Sequence, residues 1–267
     1  STQLSISELT AHFSNKKIIT IDTPAVHAGI YKYWIYQIKK NKPKAIIVTM
    51  NLRSFGADWI NSKLETVLNR GIRILHPQPK IWNRFLISLK NFNELTVDER
   101  AELTQHEWKT KQLIFPYQFK YKTVREWDST IGNGGFLKQD GSWDMDKIKL
   151  ATHFVKNFAF NIDEHNPRVQ DFDNIVDWGE KNKVKIYLNL LAENIKLADS
   201  LVGKDLVFLM KQNRDFLINR YTKKGATVID NLDKIEIINF LDKNWPTEHY
   251  NYKGRIIIAK NIAKKLE

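Results

Sequence analysis

Lys44-Ala45-Ile46-Ile47-Val48-Thr49-Met50-Asn51-Leu52-Arg53-Ser54-Phe55 is the stretch that decides the fold. After Pro43 comes a short apolar run, rich in isoleucine and valine and bounded by polar residues on both sides. A strand that is apolar throughout, rather than at alternate positions, is covered on both faces, which is the condition of a parallel sheet between helical layers. Asn51 then stands at the carboxyl end of that strand. In open α/β sheets ligands bind at this edge, and an asparagine amide there can donate to an oxyanion as it develops. The competing reading is that Asn51 only caps or turns the chain.

Outward from this strand the sequence alternates. Upstream, residues 1–13 read as a helix with Leu4, Leu9 and Phe13 apolar, and residues 17–21 read as a strand. Downstream, residues 59–69 read as a helix and residues 71–75 as a short extended piece. Nearer the end, residues 174–181 are helical in pattern and residues 184–191 form another buried strand. Residues 198–221 place Leu201, Leu206, Leu209, Leu217 and Tyr221 at helical spacing. Gly225 then fits a helix stop, residues 226–230 a further strand, and residues 256–266 a last amphipathic helix. Asn194 reads as a helix cap. Strand and helix in alternation imply an α/β fold, a parallel sheet flanked by helices in three α/β/α layers.

Residues 77–172 interrupt that alternation. They hold Trp82, Trp108, Phe115, Tyr117, Phe119, Tyr121, Trp127, Phe136 and Trp143, with Asp140-Gly141 as a hairpin-turn signal. The segment is expected to be a cap or lid inserted into a single domain spanning residues 1–267, with aromatic faces, Trp82 and Trp127 among them, turned to a sugar or acyl group. Alternatively these rings form the insertion's own small core.

Composition narrows the class. At 267 residues the chain can bury a sizeable core without dividing. No apolar run approaches the roughly 18 residues that span a bilayer. The absence of cysteine excludes disulfides, thiolate metal sites and a cysteine nucleophile, and leaves the compartment open. The net charge of +12 comes mostly from scattered lysines such as Lys39-Lys40, Lys223-Lys224 and Lys264-Lys265. Without an arginine-rich stripe or an aromatic RNA-binding motif, a solvated lysine surface attracted to an anionic cell envelope is favoured, and no nucleic-acid partner is expected. Gly132-Asn133-Gly134-Gly135 lacks the lysine and the setting of a phosphate loop. The histidines are spread without metal-ligand spacing, so neither a metal nor a cofactor is expected.

The second stretch that carries chemistry is Trp245-Pro246-Thr247-Glu248-His249-Tyr250-Asn251-Tyr252-Lys253-Gly254-Arg255. A histidine in a loop before a helix can reach out of the scaffold as a general base, because imidazole titrates near neutral pH. The competing reading for His249 is packing or capping of the last helix.

Taken together, the Asn-Leu-Arg-Ser-Phe and Glu-His-Tyr-Asn-Tyr-Lys-Gly-Arg strings, and their placement at a strand end and a pre-helix loop, resemble the SGNH, or GDSL-like, hydrolase superfamily. The resemblance implies an ester hydrolase or O-acyltransferase acting on acylated carbohydrate or a similar ester. It implies that His249 is the base, that Asn51 stabilises the oxyanion, and that a backbone N–H from the loop at His27 or Gly29 joins it. Arg53 is expected to contact substrate. The family's nucleophilic serine would precede Ser1, in a segment that could also carry a signal or anchor for a bacterial periplasm or envelope. Where the family has an aspartate three residues before its histidine this chain has Pro246, so Glu248 or Asp242 is expected to orient the imidazole. A noncatalytic carbohydrate- or protein-binding domain of the same fold is the alternative.

Overall fold

In the computed structural model the described residues are 3–13, 16–21, 27–38, 42–56, 59, 106, 114–242 and 245–267. The expected helix at residues 59–69, the extended piece at 71–75, Trp82 and Trp108 lie outside them, apart from Trp59 itself.

Among the described residues three parallel strands form the sheet: β1 (Ala45–Met50), β2 (Lys185–Leu190) and β3 (Thr227–Asp230), in the order β1-β2-β3. Ala45 pairs with Lys185 and Met50 with Leu190, while Tyr187 pairs with Thr227 and Leu190 with Asp230. All three strands therefore end at one edge. Because side chains alternate across a strand, Ile186, Leu188 and Leu190 join Val48 and Met50 on one face, and Tyr187 joins Ile229 on the other.

The first face is covered by α2 (Ala28–Tyr36), α3 (Val124–Gly132), α4 (Met145–Phe158), α5 (Pro167–Asn182), α6 (Ile195–Leu201) and α7 (Lys204–Lys223). The second carries α1 (Ile6–His12) packed on α8 (Tyr252–Leu266). This is an α/β arrangement with a helical layer on each side.

Several elements differ from their sequence patterns. Residues 17–21 take no regular secondary structure and join no sheet among the described residues, with Ile19 and Ile21 exposed at 72% and 63%. The helix expected at residues 198–221 is two, α6 and α7, divided at Gly203, whose φ of 127° lies where a side chain would be strained. Helix α5 begins well before residue 174, because Asn166 accepts from the Arg168 N–H as its cap and Pro167 supplies a preset φ at the first turn. Helix α8 likewise starts at Tyr252, capped by Asn251, whose side chain accepts from Gly254 N at 3.0 Å.

The described part of the aromatic segment packs into the main core. Phe115, Phe119, Trp127, Phe136 and Phe154 belong to the same core cluster as β1 and β2. Asp140-Gly141 does make the tight turn its composition signals, with Gly141 N–H donating to Lys138 O at 3.0 Å and Leu137 bridged antiparallel to Trp143. No described helix is long and apolar enough to cross a membrane.

Candidate functional site

The edge where the strands end collects the residues of interest from three loops. After β1, Asn51 holds an extended conformation and caps a short 3-10 turn (Leu52–Phe55), its Oδ1 accepting from Ser54 N at 3.1 Å. The cap engages the acceptor end of the amide, and Nδ2 is the end with a proton to give. Ser54 is turned inward and its Oγ donates to Asn51 O at 2.8 Å, which removes it as a nucleophile.

Residues 237–242 and 245–251 form an excursion before α8, in which two pieces of chain run antiparallel. Phe240 and Tyr250 bridge antiparallel, Leu241 N donates to His249 O at 2.9 Å, and Asn251 N to Asn239 O at 2.9 Å. Alternation along this extended segment buries Glu248 and Tyr250 completely and turns His249 between them outward, its side chain 40% exposed.

His249 Nδ1 lies 2.6 Å from Asp242 Oδ2 across the excursion. A carboxylate can only accept, so Nδ1 is the donor in this contact, and in the neutral imidazole that leaves the lone pair on Nε2. Thr247 Oγ1 donates to the same Asp242 oxygen. Asp242 thus stands where an orienting acid would, seven residues upstream of the histidine.

Glu248, the other acid considered for that place, faces away. Its carboxylate takes a two-pronged contact from Arg53, Nε to Oε1 at 2.6 Å and Nη2 to Oε2 at 2.9 Å. Burial works against the Arg53 charge, but Glu248 beside it raises the guanidinium pKa above its ordinary value. The hydrogen-bond partner of the imidazole Nδ1 is thus Asp242 and not Glu248, and Arg53, expected to contact substrate, is paired with Glu248. The pair also joins the loop bearing Asn51 to the segment bearing His249.

His27 caps α2 without a side-chain hydrogen bond, and Gly29 is buried in the first turn. First-turn N–H groups have no acceptor within their helix, so this end of α2 offers backbone donors. The His27 ring meets Trp59 edge-on at 4.8 Å, and the Arg53 guanidinium lies 4.8 Å from the same Trp59 ring. Burial first, then the charges of Arg168 and Arg53, lower the His27 pKa from 6.5 to about 3, and its Nε2 is buried without a hydrogen-bond partner among the described residues.

Trp127 is not at this edge as a substrate platform. It is 1% exposed, Tyr121 and Phe136 pack edge-on against it, and its Nε1 donates to Thr152 Oγ1 at 3.2 Å. Within the excursion, Trp245 is half-exposed and its ring lies tilted over His153 of α4 with ring centres 3.9 Å apart.

The sequence reading missed Glu193 and Trp59. Glu193 follows β2 and is 1% exposed, close to Glu248 and to the Leu52 N–H. An acid three residues beyond a strand reads as a solvated loop residue, and no local pattern reveals its burial.

Comparison of the chain with family models, with curated proteins and with solved structures finds no match.

Proposed function

We propose that this domain is the SGNH-like part of a serine ester hydrolase or O-acyltransferase acting on acylated carbohydrate or a similar ester. The observation that supports it is the outward-facing His249, with Asp242 2.6 Å from Nδ1, set at the edge where all three parallel strands end. On this reading Nε2 of His249 takes the proton of a serine hydroxyl supplied from residues outside this sequence, as that hydroxyl attacks the ester carbonyl. The proton is then passed to the departing alkoxide, leaving an acyl-serine. Asn51 Nδ2 and a backbone N–H at the start of α2 hold the oxyanion.

The test is acylation by an activated acetyl ester. A longer protein carrying the serine is expected to show a burst of one acyl group per chain, and His249→Ala to slow it by about four orders of magnitude. Residues 1–267 alone are expected to show no burst. Full activity in the His249→Ala variant refutes the assignment of His249 as base.

A further inference from the structure

We propose that Arg53 is a positioning residue for His249, its two-pronged grip on Glu248 holding the segment that projects the imidazole in register with the loop that carries Asn51. This rests on the reading of His249 as the base, while the contacts that support it are independent of ester chemistry.

Arg53 lies inside the 3-10 turn that Asn51 caps, so its backbone is fixed relative to the Asn51 amide. Its guanidinium meets the Glu248 carboxylate along two lines, Nε to Oε1 at 2.6 Å and Nη2 to Oε2 at 2.9 Å. Two bonds between planar groups set orientation as well as distance, which a single bond does not. Tyr250, on the other side of His249, is anchored separately: its OH donates to Ala192 O, just beyond β2, at 2.7 Å. With both chain neighbours held inward, alternation turns His249 outward. The same guanidinium lies 4.8 Å from the centre of the Trp59 ring, and that ring meets His27 at the start of α2. Three loops at the strand-end edge thus converge on one side chain.

Burial makes this grip hard to loosen. The Glu248 side chain is fully buried and that of Arg53 only 15% exposed. Parting them strands a charge in the interior, whereas an exposed pair would return to water at little cost. For stability alone such a pair is dispensable, since well-packed apolar residues of similar volume are often as stable or more so. What apolar residues do not supply is direction: they tolerate several arrangements of roughly equal energy, and a fork accepts one. The pair therefore has two separable effects, one on folding that apolar replacement restores and one on His249 that it does not.

The experiment reads two quantities in the 267-residue chain labelled with nitrogen-15 at histidine: the urea unfolding midpoint, and exchange with water of the His249 Nδ1–H proton by NMR, its signal assigned with His249→Gln. The double variant Arg53→Met/Glu248→Leu removes both charges and refills the space, so its midpoint is expected to equal or exceed that of the parent. Exchange of the His249 proton in the same variant is nonetheless expected to quicken about tenfold, as the segment loses its register. Arg53→Lys keeps the charge without the fork, and is expected to quicken exchange by about threefold. Parent-like exchange in the folded double variant overturns the proposal. Exchange that quickens only in step with a fallen midpoint is loosening of the whole chain, and overturns it too. If the double variant does not fold, Arg53→Lys decides alone: faster exchange at an unchanged midpoint supports the fork, and any other result overturns it. Because no ester is present, a failed acylation assay leaves this result standing, and a failed exchange result leaves the acylation assay standing.

Discussion

His27 is kept neutral by its surroundings, and this has a consequence for stability. Its pKa falls from 6.5 to about 3 on folding, so between those values the unfolded chain binds a proton that the folded chain refuses. This contribution is fully present above about pH 6.5 and is lost as the pH drops toward 3, at about 1.4 kcal/mol per pH unit. Urea unfolding of His27→Gln at several pH values across that window should show a slope shallower by one proton; an unchanged slope would place the acid sensitivity elsewhere. Asp242→Asn should act on catalysis instead. With an amide beside Nδ1 the preferred tautomer is no longer enforced, and acylation of the serine-bearing protein is expected to fall by about 10² to 10⁴ with little change in KM. His249 and Asn51 were legible as candidates because each stands next to a recognisable element. The Arg53–Glu248 pair was not, since its members are 195 positions apart and neither sits in a local pattern that names the other.

At the start of α8, Gly254 has no room for a side chain. A Cβ there would stand 2.7 Å from the Tyr250 Cβ and 3.4 Å from Asn239. Gly254→Ala must therefore push the helix off the excursion, at about 1–3 kcal/mol, which a denaturation midpoint would register. The same displacement strains the bridge between Phe240 and Tyr250, so the His249 Nδ1–H should exchange faster in this variant than in the parent. A midpoint equal to that of the parent would mean the close approach relaxes freely. Strands β1, β2 and β3 were readable because each is a short apolar run between polar residues. Residues 17–21 have the same composition, yet pairing depends on a neighbour rather than on propensity, and they pair with none in the sheet. The break between α6 and α7 was equally hidden, because apolar spacing runs through Gly203 while its backbone does not.

Across the whole molecule the sheet separates two cores, and β2 is the strand both depend on. Leu188, fully buried in the larger core, is expected to cost about 3–5 kcal/mol when cut to alanine. The smaller core is more polar than its sequence suggests. Asn231 Nδ2 donates to Asn189 Oδ1 at 2.9 Å and Asn261 Nδ2 to Asn231 Oδ1 at 2.7 Å, a chain of amides from β2 to α8. Asn231→Leu should cost about 1–3 kcal/mol by stranding its partners, and calorimetry of the variant would show it; no loss would mean the amides find other partners. The three-layer outline was legible from alternation alone. The burial of Phe119 and Trp127 in the larger core was not, because an aromatic-rich segment reads the same in sequence whether it covers a cleft or fills a core.

The register that joins β1 to β2 links Ala45 to Lys185, about 140 positions later in the chain. Translation at about 5–20 residues per second leaves the apolar run Ala45–Met50 waiting roughly 7 to 30 seconds before its partner has been made. Such a segment is a template for association with other unfinished chains, and pairing over so long a loop is slow to begin even afterwards. Ribosome-stalled chains ending before residue 184 should therefore leave this strand open to a chaperone, and chains long enough to expose β3 should release it.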